Sequence, residues 1–240
     1  MRFNIITLFP EMVEQVMSYG VIGRAWKKGL IEVVSYNPRD YAEDRHRTVD
    51  DKPFGGGPGM VMMYDPLFRV VEELRAEKRF EGLDFLTPHG QTFNQEMAKN
   101  MAARQVVTLL CGRYEGVDQR FVDQCVDREI SIGDFVVSGG ELPACMVIDA
   151  VARLLPGVLG DDASSATDSF MQAQLGYPQY TRSEILGQSG VPDVLLSGHH
   201  ERIEQWRMQE AERITRQKRP DLLAGTSGRK KNDPCSDENK

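Results

Sequence analysis

Up to Leu155 the chain alternates short apolar runs with amphipathic stretches, and this alternation restricts the fold more than any other feature. Phe3 to Leu8, Ile31 to Tyr36, Phe85 to Thr87, Val106 to Cys111 and Ile130 to Val137 carry the branched and aromatic residues typical of strands. Between them, Glu11 to Lys28, Asp65 to Lys78, Asn94 to Arg104 and Val117 to Val126 show helical spacing. Strand and helix in turn predict an α/β fold with a mostly parallel sheet covered on both faces. Glu141 to Leu155 closes this part as a helix with proline in its first turn; it is apolar over most of its circumference, which predicts deep burial.

Composition then changes abruptly. From Gly160 to Thr167 the chain reads Gly-Asp-Asp-Ala-Ser-Ser-Ala-Thr, with almost nothing to bury, which predicts a mobile linker between a domain over 1–159 and a small, mainly helical one over 168–240. Within the latter a helix is expected from about His199 to Lys218, and a polar, disordered tail from about 226. No apolar run is long enough to span a bilayer, and Pro10 interrupts the first apolar segment too early for a secretory signal. Cys111, Cys125, Cys145 and Cys235 form no Cys-x-x-Cys pair, and three of them lie in apolar segments; this suggests a reducing, cytoplasmic setting without structural zinc. A net charge of -7 argues mildly against a nucleic-acid partner. Arg202, Arg207, Arg213, Arg216, Lys218 and Arg219 gather in one helical stretch, yet interleaved glutamates make a solvated, self-paired face the simpler reading.

Two glycine-punctuated passages mark candidate sites. Gly112-Arg113-Tyr114-Glu115-Gly116 follows the strand run ending at Cys111, where open α/β sheets place ligands. Arg128 to Ala144 passes from strand to helix through Gly133, Gly139 and Gly140, which permits close approach of a ligand to bare backbone. Gly55-Gly56-Gly57-Pro58-Gly59 reads equally as a binding loop or a tight turn, and Met60-Val61-Met62 after it lacks the lysine of a phosphate loop. The Rossmann glycine pattern is also absent. Asp168, in Thr167-Asp168-Ser169-Phe170, is on residues alone more readily a cap for a short helix through Gln174 than a catalytic group. Arg153 is a cation in an otherwise apolar helix and calls for an anion, either Asp149 one turn earlier or charge on a substrate. His89, His199 and His200 lack the spacing of a metal site.

Four motifs occur in order: Pro53 to Met60, Cys111 to Arg120, Ile130 to Pro143, and Ser197-Gly198-His199-His200. Together they resemble the bacterial tRNA (guanine-N1)-methyltransferases that modify guanosine 37 beside the anticodon, over roughly residues 1–225. The resemblance implies a trefoil-knotted α/β domain of the SPOUT type, use of S-adenosylmethionine, tRNA as substrate, and a homodimer whose active site lies between subunits. It assigns Leu86, Pro88, Gly112, Tyr114, Glu115, Ile132, Gly133, Asp134, Phe135, Val136, Val137, Gly139, Gly140 and Pro143 to the cofactor. It makes Asp168 the general base and Arg153 the residue that steadies charge on guanine O6, with the linker as a lid that orders on substrate binding. Gly57, Gly59, Ser169, Arg182, His199 and His200 fall to the tRNA substrate. The resemblance also allows for Mg²⁺, for which the sequence offers no ligand cluster. After the base, family sequences read Leu-Leu-Asp-Cys-Pro-His-Tyr-Thr-Arg-Pro, whereas this chain has Gln174 to Ser183 with only Pro-x-Tyr-Thr-Arg kept, so tRNA contacts in the second domain do not transfer in detail. Two other readings stay open: a non-catalytic RNA-binding protein on the same scaffold, and a phosphoryl-transfer enzyme using Gly55 to Gly59.

Overall fold

A computed structural model of the chain describes residues 1–160 and 167–224, and the chain divides into two compact units, Met1–Asp162 and Ala163–Lys240. The first contains β1 (Arg2–Ile6), α1 (Pro10–Met17), α2 (Gly20–Lys27), β2 (Glu32–Tyr36), a short 3₁₀ turn at Pro38–Tyr41, β3 (Asp50–Asp51), β4 (Val61–Met62) and α3 (Tyr64–Ala76). These are followed by β5 (Leu83–Thr92), α4 (Gln95–Ala102), β6 (Val106–Cys111), α5 (Gln119–Cys125), β7 (Arg128–Ser131) and α6 (Glu141–Ala152).

Among the described residues, β2-β1-β6-β5-β7 form one sheet in that order, and every pairing within it is parallel. The predicted α/β class is therefore observed. Side-chain alternation explains the coverage of both faces: Phe3 and Ile5 enter one core with Val107 and Leu109, whereas Ile6 and Leu110 enter the other. The first core is closed by residues of α1, α2, α4 and α6, the second by residues of α3 and α5. Paired Asn4 and Thr108 carry polar groups inside the sheet, and both are satisfied: Asn4 Nδ2 donates to Thr108 Oγ1 at 3.2 Å and to the Arg79 carbonyl at 2.8 Å.

Three expected elements before α6 differ. The helix over Glu11 to Lys28 is two helices, because the chain turns at Gly20, whose φ of +65° a side chain would resist. The strand expected over Ile130 to Val137 stops at Ser131, where the Ser131 hydroxyl bonds the backbone of Gly133 and turns the chain out of the sheet. The strand expected at Phe85 to Thr87 runs over Leu83–Thr92, but pairing with β7 jumps from Leu86 to Gln91, so Thr87 to Gly90 are looped out.

Cys111, Cys125 and Cys145 are buried free thiols, and Cys235 lies outside the described residues. Burial, and then the nearby charge of Glu141, pushes the Cys145 thiol up to about 11. A native thiol that keeps its proton where the unfolded chain has lost it means that stability falls as pH rises from about 9 towards 11. Denaturant titrations across that window are expected to show this loss, and Cys145→Ala to reduce its slope.

The second unit contains α7 (Asp193–Leu196), α8 (His200–Lys218) and α9 (Pro220–Ala224) after a turn-rich stretch. Along α8 the acids do pair with the arginines, as in Arg213–Glu210 at 2.7 Å and Arg207–Glu204 at 3.5 Å. No helix over Phe170 to Gln174 forms; Phe170 and Ala173 adopt φ of +71° and +53°, and the Phe170 N–H donates to the Gln174 carbonyl. Except for residues 160 and 167, the expected lid lies outside the described residues, as does the tail from 226.

Candidate active site

A cavity of about 390 Å³ opens in the first unit at the carboxyl ends of β6 and β7 and beside the looped-out stretch of β5. β6 and β7 follow one another in the chain yet flank β5, so the segments leaving them start on either side of it and enclose a crevice there. Three segments supply its walls: the looped-out Thr87 to His89, the passage Gly112 to Val117 after β6, and Ile132 with Phe135 to Gly140 after β7.

Gly140 explains how two of these walls meet. Its N–H donates to the Gly112 carbonyl at 3.0 Å, and a methyl group at Gly140 would stand 2.5 Å from Cys111 Cα and 2.9 Å from Gly112 N. Chain crosses against chain at this point, so this glycine answers first to backbone packing and not to a ligand. Gly140→Ala is expected to force the backbones apart at about 1–3 kcal/mol, read as a lowered unfolding midpoint. Gly139 makes room for a side chain: a methyl group there would lie 2.2 Å from Arg113 Nε.

Arg113 and Glu141 hold the same crossing. The buried Glu141 carboxylate accepts from Arg113 Nε at 2.9 Å and from Thr7 Oγ1 at 2.8 Å, while Arg113 Nη1 donates to the Ser138 carbonyl at 3.0 Å. Tyr114 takes a left-handed φ of +60° and receives a hydrogen bond from Arg39 Nη2 at 3.3 Å. Burial first, then a hydrogen bond with Asp50, raises the Tyr114 phenol above its ordinary range.

The glycine loop is docked to this wall. Met60 accepts from the Glu115 N–H at 2.9 Å, Met62 donates to the Gly116 carbonyl at 2.9 Å, and Met62 accepts from the Asp118 N–H at 3.0 Å. Gly55, Gly56, Gly57 and Gly59 all take positive φ, and the loop leads into β4 and not into a helix N-terminus. That geometry removes the phosphate-loop reading.

Of the residues expected at the cofactor, Leu86, Pro88, Gly112, Tyr114, Glu115, Ile132, Phe135, Val136, Val137, Gly139, Gly140 and Pro143 line the cavity. Gly133 and Asp134 do not; Gly133 is taken up in the turn with Ser131. Gly57 and Gly59 sit in the exposed loop between β3 and β4. Arg153 differs from expectation: α6 ends at Ala152, and Arg153 is its exposed C-terminal cap. Its cation stands at the negative end of the helix and not within an apolar interior, which removes the burial cost that demanded a partner.

In the second unit, exposed Asp168 borders a cavity of about 70 Å³ together with Gln172, Tyr177, Glu204 and Arg207. Ser169 Oγ accepts from the Gly176 N–H at 2.9 Å. Arg182 is exposed, and exposed His199 and His200 open α8, with the His199 N–H donating to Ser197 Oγ at 3.2 Å. Sequence reasoning did not assign Thr87, His89, Arg113, Ser138 or Glu141. Arg113, Ser138 and Glu141 stood inside the quoted motifs, but their bonds reach 28 residues for Arg113–Glu141 and 134 for Thr7–Glu141 and cannot be read from spacing.

The cavity suits S-adenosylmethionine by its chemistry. Leu86, Ile132 and Val137 offer an apolar slot for a flat heterocycle, bare backbone at Gly112, Gly139 and Gly140 admits close approach, and Glu115 and Glu129 supply acceptors for a cation. Among the described residues no group of three or more His, Cys, Asp or Glu could hold a metal ion, and no helix is long and apolar enough to cross a membrane.

Comparison with known proteins decides the lineage. Residues 1–225 match the family described as tRNA (Guanine-1)-methyltransferase TrmD. This chain belongs to that family. Curated relatives named tRNA (guanine-N(1)-)-methyltransferase include that of Halorhodospira halophila, 52% identical over 225 residues covering 93% of this chain and 85% of the relative. That of Herminiimonas arsenicoxydans is 50% identical, covering 93% and 92%, and that of Burkholderia mallei is 50% identical, covering 93% and 86%. For a tRNA (guanine-1)-methyltransferase, the glycine-bounded cavity becomes the candidate cofactor site.

Proposed function

We propose that this chain transfers the methyl group of S-adenosylmethionine to ring nitrogen 1 of guanosine 37 in tRNA. The observation that carries this reading is the glycine-walled cavity at the carboxyl ends of β6 and β7 and the looped-out stretch of β5, in a chain matched to the tRNA (guanine-1)-methyltransferase family from residue 1 to 225. Bound there, S-adenosylmethionine supplies an electrophilic methyl group. Leu86, Ile132 and Val137 would give it an apolar wall, and Glu115 and Glu129 would offer carboxylates to its positive charge.

Guanine N1 carries a proton, and its lone pair becomes nucleophilic only as that proton leaves. Asp168 accepts the proton. Charge that then spreads to guanine O6 is met by the Arg153 guanidinium, exposed at the end of α6. Arg153→Ala is expected to lower kcat by about 10²–10³-fold. Because the residue is exposed, stability is expected to change by less than about 1 kcal/mol, measured by denaturant unfolding.

The reading includes a homodimer with the active site completed between subunits and a trefoil-knotted first domain. Support for the dimer comes from α6, which exposes Leu142 at 48% and Met146 at 55%, from Val16 exposed on adjoining α1, and from Tyr19 exposed in the turn that follows it. Such a shared apolar face suits a self-complementary contact. The second unit is assigned to tRNA, and the setting to the cytoplasm. Mg²⁺ is given no residues. Nucleoside analysis of methylated tRNA tests the chemistry: 1-methylguanosine is expected, and methylation at any other guanine atom would refute the assignment.

A further inference from the structure

We propose that Arg113 and Glu141 are positioning residues that set cofactor affinity by fixing two stretches of cavity wall, 112–116 and 137–140, against each other. The inference rests on the cavity being the S-adenosylmethionine site. Glu141, the first residue of α6, is fully buried. Its Oε1 accepts from Thr7 Oγ1 at 2.8 Å, and its Oε2 accepts from Arg113 Nε at 2.9 Å and Nη2 at 2.8 Å. The remaining guanidinium nitrogen, Nη1, donates to the Ser138 carbonyl at 3.0 Å. The guanidinium carbon also lies 4.4 Å from the centroid of the Phe9 ring, and the Phe9 N–H donates to Thr7 Oγ1 at 2.9 Å. One planar group thereby joins the end of β1, the segment after β6, the loop after β7 and the start of α6.

A buried ion pair adds little net stability over apolar residues of the same volume, so stability alone does not account for a charge here. What a guanidinium supplies is geometry, since its rigid fork fills the carboxylate from one side and leaves a third donor in a fixed direction for Ser138. The loop is shaped to admit it: any side chain at Gly139 would collide with Arg113 Nε. Arg113 and Ser138 both stand in the cavity wall, so a change in the fork moves wall residues directly.

Arg113→Lys keeps the charge opposite Glu141 and with it the fold, but a single ammonium cannot bind the carboxylate twice and also reach the Ser138 carbonyl. Glu141→Gln keeps shape and removes the charge. Calorimetric titration with S-adenosylmethionine, at a temperature where all proteins are folded, is expected to show Kd at least about 10-fold weaker for both variants. KM for the cofactor is expected to rise in parallel, while kcat at saturating cofactor falls by less than about 3-fold. Thr7→Val removes the bond to Glu141 and the acceptor of the Phe9 N–H but leaves the Arg113–Glu141 fork and its bond to Ser138, so its Kd is expected to stay within about 3-fold of wild type.

If Arg113→Lys and Glu141→Gln bind the cofactor as wild type does, the pair is merely structural and the proposal is overturned. If Thr7→Val weakens binding as much as they do, general loosening explains the effect and the proposal also fails. Failure of the wild-type protein itself to bind S-adenosylmethionine would instead bring down the functional reading, and this inference with it.

Discussion

Asp168→Ala is expected to lower the rate of methyl transfer by roughly 10²–10⁴-fold, the range a positioned general base contributes. The expected loss is confined to chemistry. Asp168 is exposed and stands in a turn of the second unit, whereas the candidate cofactor cavity is built entirely from the first. Calorimetry with S-adenosylmethionine is therefore expected to give the same Kd for the variant and the wild type, and circular dichroism the same spectrum. Raising the pH is expected to restore part of the Asp168→Ala rate, because guanine N1 then loses its proton without help. A variant that keeps full activity at neutral pH would move the base elsewhere in the chain.

Glu141→Ala is expected to produce the largest loss of stability among single changes at the site. It removes the acceptor for two Arg113 nitrogens and for Thr7 Oγ1 and leaves a cation whose side chain is only 18% exposed. Breaking a buried pair from one side costs about 3–5 kcal/mol. For a chain of this length that corresponds to a fall of roughly 6–20 °C in Tm by thermal unfolding. A fall under about 2 °C would mean that Arg113 finds water or another acceptor, and that the crossing at Gly140 is held by backbone alone. Cofactor binding at a temperature well below the lowered Tm separates the two consequences of the change, since stability and cavity shape need not fall together.

Local pattern carried much of the architecture. β1 and β6 are short, largely apolar runs, and the periodicity of α3 and α4 places Val70, Val71 and Leu74, and Met97 and Met101, in the core. What local pattern did not carry were breaks imposed by distant chain. β5 continues past Pro88 because Gln91 and Thr92 regain pairing with β7, and nothing near Pro88 announces that. Ile132, Val136 and Val137 have the composition of a strand, but Ser131 and Gly133 turn them out of the sheet, where they wall a cavity. Arg153 reads as a buried cation only if the helix runs to Leu155; ending at Ala152 exposes it.

The candidate site divides in the same way. Glycine at Gly112, Gly139 and Gly140 pointed to the cavity from residue type alone, although at Gly140 the crowding neighbour is the chain's own backbone. The roles proposed for Asp168 and for the cavity came from family motifs, since a lone carboxylate in a turn has no chemical signature of its own. Arg113, Glu141 and Thr7 lie far apart in sequence and meet only in the fold, so their joint function could be read only there.

Transfer of labelled methyl from S-adenosylmethionine to unmodified tRNA transcripts carrying guanosine or adenosine at position 37 tests the central claim most directly. Label is expected to enter the guanosine transcript and not the adenosine transcript. Absence of label from both, or equal labelling of both, would contradict a guanine-N1 methyltransferase acting at that position.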